Sequence, residues 1–411
     1  MSLRSRIKAE SLAVAALLTL AVGLGPLATD LYLPSLPAIG AYFGRSVADV
    51  QLTLSIFLVG FAVSQLVYGP LSDRFGRRPV MLAGLGIFLA ASVLSAFAWS
   101  LEVLIVARFL QSLGVCAGPV LGRATVRDIY GPERAAKVLS YMASAMALAP
   151  AIAPVIGGLL EELLGWRANF WALCAIALFL LAAIFLVLPE TNRFRDATAL
   201  RPRRLIGNYL TLLGHQSYLG YALIVAFAYC GIFTFISGSS FLLIEALALS
   251  PQVYGFTFGV FVLGYMLGTL ISGRWGQRIG PQRLLGIGAL LGFACGATGL
   301  ALALAGELTV VSVVAPFTVY MLAVGFMAPN AFAGALRYYP HMAGAASSLL
   351  GFLQMGMAAL VGVGVGHWHD GTAMPMAGAL AATSLAALLA WLLLVRPGAA
   401  KDLATRAQPT A

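Results

Sequence analysis

The chain has 411 residues, of which 61% are hydrophobic and 10% charged, and its mean hydropathy is +0.93. A water-soluble domain carries about a quarter charged residues and cannot hide this much apolar surface, so a soluble globular protein is excluded. The formal net charge of +10 is then read as orientation in a bilayer rather than as affinity for nucleic acid.

Arg4, Arg6 and Lys8 precede an apolar run, Ser11 to Leu31, that is too long for a signal-peptide core of roughly 7–15 residues. It is read as the first membrane helix. A span needs about 20 apolar residues, and such runs fall at 10–31, 50–71, 79–98, 102–124, 138–162, 168–188, 218–244, 252–273, 284–305, 308–335, 343–366 and 373–395. The expected fold is therefore an all-α integral membrane protein of twelve transmembrane helices. The longest interruption, Pro189 to Gln216, divides them six and six. This gives an N-terminal bundle at 1–190, a linker at 191–216, a C-terminal bundle at 217–396 and a tail at 397–411. Cys116, Cys174, Cys230 and Cys295 lie in apolar runs without ligand-like spacing, so neither a disulfide framework nor a metal site is expected.

With the N-terminus inside, 22 of the 25 Lys and Arg residues fall in inner segments. Only Arg45 and Arg167 are left outside, and Arg108 lies within a span. The positive-inside bias thus sets both termini in the cytoplasm. The two halves also echo each other. A shift of 204 positions carries Gly69, Arg74 and Gly76 onto Gly273, Arg278 and Gly280, and the second copy has no counterpart of Asp73.

The segment Gly69-Pro70-Leu71-Ser72-Asp73-Arg74-Phe75-Gly76-Arg77-Arg78 resembles the signature loop of the major facilitator superfamily of transporters. Further segments narrow the resemblance to its proton-driven drug exporters, the bicyclomycin-resistance and chloramphenicol/florfenicol group. They are Thr29–Pro37, Gln51–Ser55, Arg108-Phe109-Leu110-Gln111, Thr125–Tyr130, Ala149–Gly158, Gly165-Trp166-Arg167 and Pro340–Gly344. Their order and spacing carry the resemblance over nearly the whole chain. It implies two six-helix bundles with a substrate site near the midplane, export of small and mostly apolar drugs driven by inward proton flow, and residence in a bacterial inner membrane. The expected partners are a small-molecule drug, protons and the lipid bilayer, with no nucleic acid and no cofactor, and a monomer is expected. An exporter or importer of an amino acid, sugar or siderophore on the same fold is the alternative. A membrane-embedded enzyme or receptor is disfavoured, because no catalytic constellation, phosphate-binding loop or appended domain is present.

Asp30 and Arg108 are the two ionisable residues well inside the spans, and intramembrane charge is costly enough to mark a wet cavity or a partner. Both fall in the outer half by helical rise. Burial favours the neutral form of a carboxylate and a nearby arginine favours the charged one, so Asp30 is the candidate proton carrier. The resemblance supports this, because the position matches the helix 1 aspartate of related exporters. Capping of an irregular loop at Leu33–Pro37 is the simpler reading. Arg108 keeps its proton and is expected to tune Asp30, hold a substrate oxygen or brace the fold, with Gln111 one turn along. Some relatives carry a second acid about two turns before the aspartate. Leu20–Pro26 contains none, which points to neutral or singly charged substrates.

Family precedent makes Asp73, Arg74, Arg77 and Asp128 a cytoplasmic gate latch, although the arginines also serve as topology anchors. Pro150, Pro154, Gly157 and Gly158 form the antiporter motif, where prolines bend a helix and small residues permit close packing. Tyr254, Phe258, Phe261 and Tyr265 make one aromatic stripe, and Tyr229 and Phe233 another. They line a substrate cavity or simply pack. Asn330 and Gln354 are the polar candidates of the second half. His367-Trp368-His369-Asp370 has a metal-like composition but reads as a solvated turn.

Overall fold

The computed structural model describes residues 11–146, 148–192, 195–196, 198–307, 309–339 and 342–397, without the side chains at 131–134, 136, 137, 140, 141, 143–146, 202, 204 and 277. Arg4, Arg6, Lys8, Arg193, Pro340, His341, Lys401 and Arg406 lie outside the described residues. All regular structure among the described residues is helical. Among the described residues, eleven helices are long and apolar enough to cross a membrane.

In the first half, α1 (Leu12–Asp30) passes through a 3₁₀ turn, Leu33–Ser35, into α2 (Leu36–Phe43). The irregular loop expected at Leu33–Pro37 is therefore a helical bend. Pro34 and Pro37 each occupy the first turn of the element that they open, where a missing N–H costs nothing. Next come α3 (Val47–Phe75), α4 (Arg77–Ala96), α5 (Leu101–Val115), α6 (Ala117–Met146), α7 (Ala149–Leu164) and α8 (Arg167–Val187).

Two expectations change here. The polar stretch expected to join the fourth and fifth spans, 125–137, is helical, and the predicted fifth span is divided between the end of α6 and the sixteen-residue α7. Hydropathy marks where lipid lies, whereas a helix continues past lipid as long as its backbone bonds are met. The signature loop is likewise almost no loop, because Gly76 alone separates α3 from α4.

The second half contains α9 (Pro202–Leu213), α10 (Gln216–Ser240) running into a π-helical turn Phe241–Ala246, α11 (Pro251–Ile279), α12 (Pro281–Leu304), α13 (Val310–Arg337), α14 (Ala343–His367) and α15 (Met374–Ala390) with a π-helical turn Trp391–Val395. Gly280 separates α11 from α12 as Gly76 separates α3 from α4. Their φ angles are +90° and +106°, a region that only glycine enters at little cost. The internal repeat is thus a repeat of backbone geometry as well as of letters.

The chain forms two compact units, one of residues 1–202 and 243–259, the other of 203–242 and 260–411. The start of α11 belongs with the first. In the second, Phe235 stacks on Phe317 at 4.0 Å between ring centroids and Phe261 meets both edge-on. The Tyr320 hydroxyl donates to the Ala228 carbonyl at 3.0 Å. All four cysteines are free and buried.

Candidate functional site

Arg108 is fully buried on α5. Its guanidinium lies 4.3 Å from the Phe57 ring centroid and 4.7 Å from that of Tyr32, distances at which aromatic faces attract a desolvated cation. Nη1 donates to the carbonyl of Ala28 at 3.0 Å and to Oε1 of Gln111 at 2.6 Å. Gln111 passes the network on, its Nε2 donating to Ser92 Oγ at 2.7 Å. Nε and Nη2 of Arg108 have no hydrogen-bond partner among the described residues. The spacing of Arg108 and Gln111, three apart on one helix face, is what lets one side chain orient the other.

Asp30 closes α1 and is 4% exposed. Thr29 Oγ1 donates to its Oδ1 at 3.1 Å. No ion pair joins it to Arg108 or to any other described residue. The two groups expected to interact thus stand close along α1, two residues from Ala28 to Asp30, but the arginine holds backbone rather than carboxylate. The next hydrogen-bonded pair is Tyr32 with Thr53, 2.7 Å between hydroxyls.

The segment expected to form the antiporter motif meets this same end of α1. Gly157 lies against the Leu31 backbone so closely that a Cβ there would collide with the Leu31 carbonyl, and Gly158 is placed likewise against Pro251 at the start of α11. Pro154 sits inside α7, and Pro150 in its first turn. Sequence reading missed the polar groups beside this seam. Ser35 Oγ donates to Glu161 Oε2 at 2.6 Å, and Asn169 Nδ2 donates to Ser35 Oγ at 2.8 Å and to the Gly157 carbonyl at 3.4 Å.

At the Arg-rich face, Arg77 bonds Asp73 at 2.6 Å, Asp128 at 3.2 Å and Ser72. Arg74 lies over the Phe75 ring. A second missed residue, Glu190, caps α4. Its carboxylate accepts from the backbone N–H of Arg77 at 2.9 Å and of Arg78 at 3.3 Å, answering donors that a helix start leaves unpaired. Asn192 does the reverse at the end of α3, its Nδ2 donating to the carbonyls of Ser72 and Asp73 at 3.1 and 3.0 Å. The signal for both was the polar Pro189-Glu190-Thr191-Asn192 directly after a span.

The remaining cavity candidates fall into the two units separately. Tyr254 and Phe258 are buried and meet edge-on at 5.3 Å. In the second unit Phe233 is buried and Tyr229 and Gln354 are half-buried. Asn330 Nδ2 donates to Ser272 Oγ and to the Phe326 carbonyl, both at 2.8 Å. Asp370 of the His367–Asp370 turn is engaged by Thr372, whose N–H and hydroxyl donate to Oδ1 at 2.9 and 2.6 Å. These bonds hold the carboxyl below its usual range.

The described residues form helices only, eleven of them of membrane length, with a repeated one-glycine break and a buried arginine, which is the build of a multi-pass membrane protein. The Major Facilitator Superfamily model matches residues 18–363, and the chain belongs to that family. It is 34% identical to an uncharacterized MFS-type transporter of Bacillus subtilis over 93% of this chain and 95% of that one. Its identity to multidrug resistance protein D of Escherichia coli is 30% over 82% of this chain and 84% of that protein, and to a bicyclomycin resistance protein homolog of Haemophilus influenzae 28% over 90% and 92%. The solved xylose transporter XylE of E. coli shares the fold, with a TM-score of 0.71 at 16% identity, covering 93% of this chain and 97% of that one. These relatives are transporters, not enzymes.

Proposed function

We propose that the protein is a proton-coupled antiporter that exports small, mostly apolar drugs, amphenicols or bicyclomycin-like compounds among them, from the cytoplasm across a bacterial inner membrane by alternating access. The carrying observation is Asp30, a buried carboxylate with one hydroxyl donor and no ion pair among the described residues. A carboxylate so placed is costly as an isolated charge and exchanges that cost for a proton. Arg108 braces the backbone two residues away, and two of its guanidinium nitrogens have no hydrogen-bond partner among the described residues, which leaves them to a substrate oxygen or to Asp30 at another stage of the cycle. Gln111 orients it. The Arg77 cluster serves as the inner latch, and Tyr229, Phe233, Tyr254, Phe258, Asn330 and Gln354 supply apolar and polar contacts to the drug. The resistance-protein names of the relatives support the drug class.

The test uses inside-out membrane vesicles with an acidic lumen and labelled chloramphenicol. Wild type accumulates the drug and discharges the gradient, and Asp30→Asn does neither. Concentrative uptake by Asp30→Asn sinks the proton assignment. Wild type that moves none of a drug panel yet exchanges an amino acid or sugar sinks the drug assignment.

A further inference from the structure

The proposed cycle leaves unused a titratable group at the seam between α7 and the end of α1. We propose that Glu161 is a second proton-binding site of this chain, and that Ser35 and Asn169 carry its protonation state to the end of the helix that bears Asp30. The proposal rests on the proton-coupled reading above and on its orientation, which sets Glu161 toward the outer face.

Three observations carry it. The first is continuity: Glu161 Oε2, Ser35 Oγ, Asn169 Nδ2 and the Gly157 carbonyl form one hydrogen-bonded chain at 2.6, 2.8 and 3.4 Å, and Gly157 lies on Leu31, the residue after Asp30. The second is polarity. A serine hydroxyl has one hydrogen and two lone pairs, and here the hydrogen goes to Glu161 while Asn169 donates in. When Glu161 takes a proton from outer water, its new O–H becomes the donor to Ser35 Oγ. The serine hydrogen is then released to another acceptor. The third observation is that the network is one donor short. Asn169 is fully buried and its Oδ1 has no partner among the described residues, a vacancy that is costly to leave in a dry site. A proton on Glu161 adds one donor to that network.

The charged and titratable neighbours do not replace it. Glu162 accepts from the Gln252 N–H at 3.3 Å on the start of α11. Arg167, at the start of α8, donates to the Ala98 carbonyl at 3.0 Å and lies over the Trp166 and Tyr42 rings. Tyr32 is bonded to Thr53, and Asp30 to Thr29. On the far side of α2, Arg45 is paired with Glu102. No described cation forms an ion pair with Glu161.

The full chain in proteoliposomes is stepped from about pH 8 to about pH 5, across the carboxylate range, and infrared difference spectra record protonated carboxyl groups. The expected result is a carboxyl band that Glu161→Gln abolishes, Ser35→Ala shifts and Asp30→Asn leaves in place. Glutamine keeps an acceptor oxygen for Ser35, so the variant is expected to fold. In chloramphenicol exchange, Glu161→Gln loses the response to outer pH. A full set of wild-type bands in Glu161→Gln overturns the site, and an unchanged pH profile overturns the relay. The Asp30→Asn transport test fails or succeeds independently of the infrared result.

Discussion

Arg108 Nη1 grips the backbone carbonyl of Ala28 at 3.0 Å, so the arginine is tied to the helix of Asp30 without being tied to its carboxylate. The guanidinium is also sandwiched between Tyr32 and Phe57. A lysine keeps the charge but loses the planar group that stacks and forks at once. Arg108→Lys is expected to lower stability by about 2–4 kcal/mol, from one charged hydrogen bond and part of the ring contact, and to abolish export. Thermal unfolding of the purified protein and vesicle transport check the two effects separately.

Gly76 and Gly280 offer a controlled comparison between the repeats. Both have positive φ, so alanine strains either backbone by about 1–3 kcal/mol. At Gly76 a Cβ would also strike the Glu190 carboxylate, whereas at Gly280 it meets open space. Gly76→Ala is therefore expected to be the more destabilising of the two in melting temperature. Equal shifts would mean that the Glu190 cap yields without cost.

Glu190 itself is expected to matter through acceptor geometry more than through charge. It serves two backbone donors of α4 and the Asn192 N–H at 2.9 Å. Glu190→Gln keeps one acceptor oxygen and is expected to cost less than Glu190→Ala, which orphans the cap at about 1–2 kcal/mol. Chemical unfolding of both variants gives the order.

Hydropathy made the membrane-length helices legible, eleven of them among the described residues, because lipid imposes a length that apolar runs must meet. Asp30, Arg108 and Gln111 stood out as polar letters in apolar runs, and the structure bonds Arg108 to Gln111. Glu161, Ser35, Asn169, Glu190 and Asn192 did not stand out. They sit at span ends, where polar residues are ordinary, and their partners lie 119 to 134 positions away for Asn192 to Asp73, Glu161 to Ser35 and Asn169 to Ser35. The continuation of α6 through 125–137 was hidden for another reason: a polar helix and a polar loop have the same hydropathy.

Gly157 gives the sharpest test of the seam beside Asp30. A Cβ there meets the carbonyl, carbonyl carbon and Cα of Leu31, all backbone, which cannot swing aside as a side chain would. Overpacking of this kind costs about 1–3 kcal/mol, while alanine itself favours a helix by up to about 1 kcal/mol over glycine. The clash is expected to dominate, so Gly157→Ala lowers the melting temperature and reduces chloramphenicol exchange together. Gly259, with nothing near its Cβ position, is the control: Gly259→Ala meets no clash and is expected to hold or raise the melting temperature. A Gly157→Ala protein as stable and active as wild type would show that α7 and the end of α1 can separate freely, and the close packing of Gly157 against Leu31 would then have no part in transport.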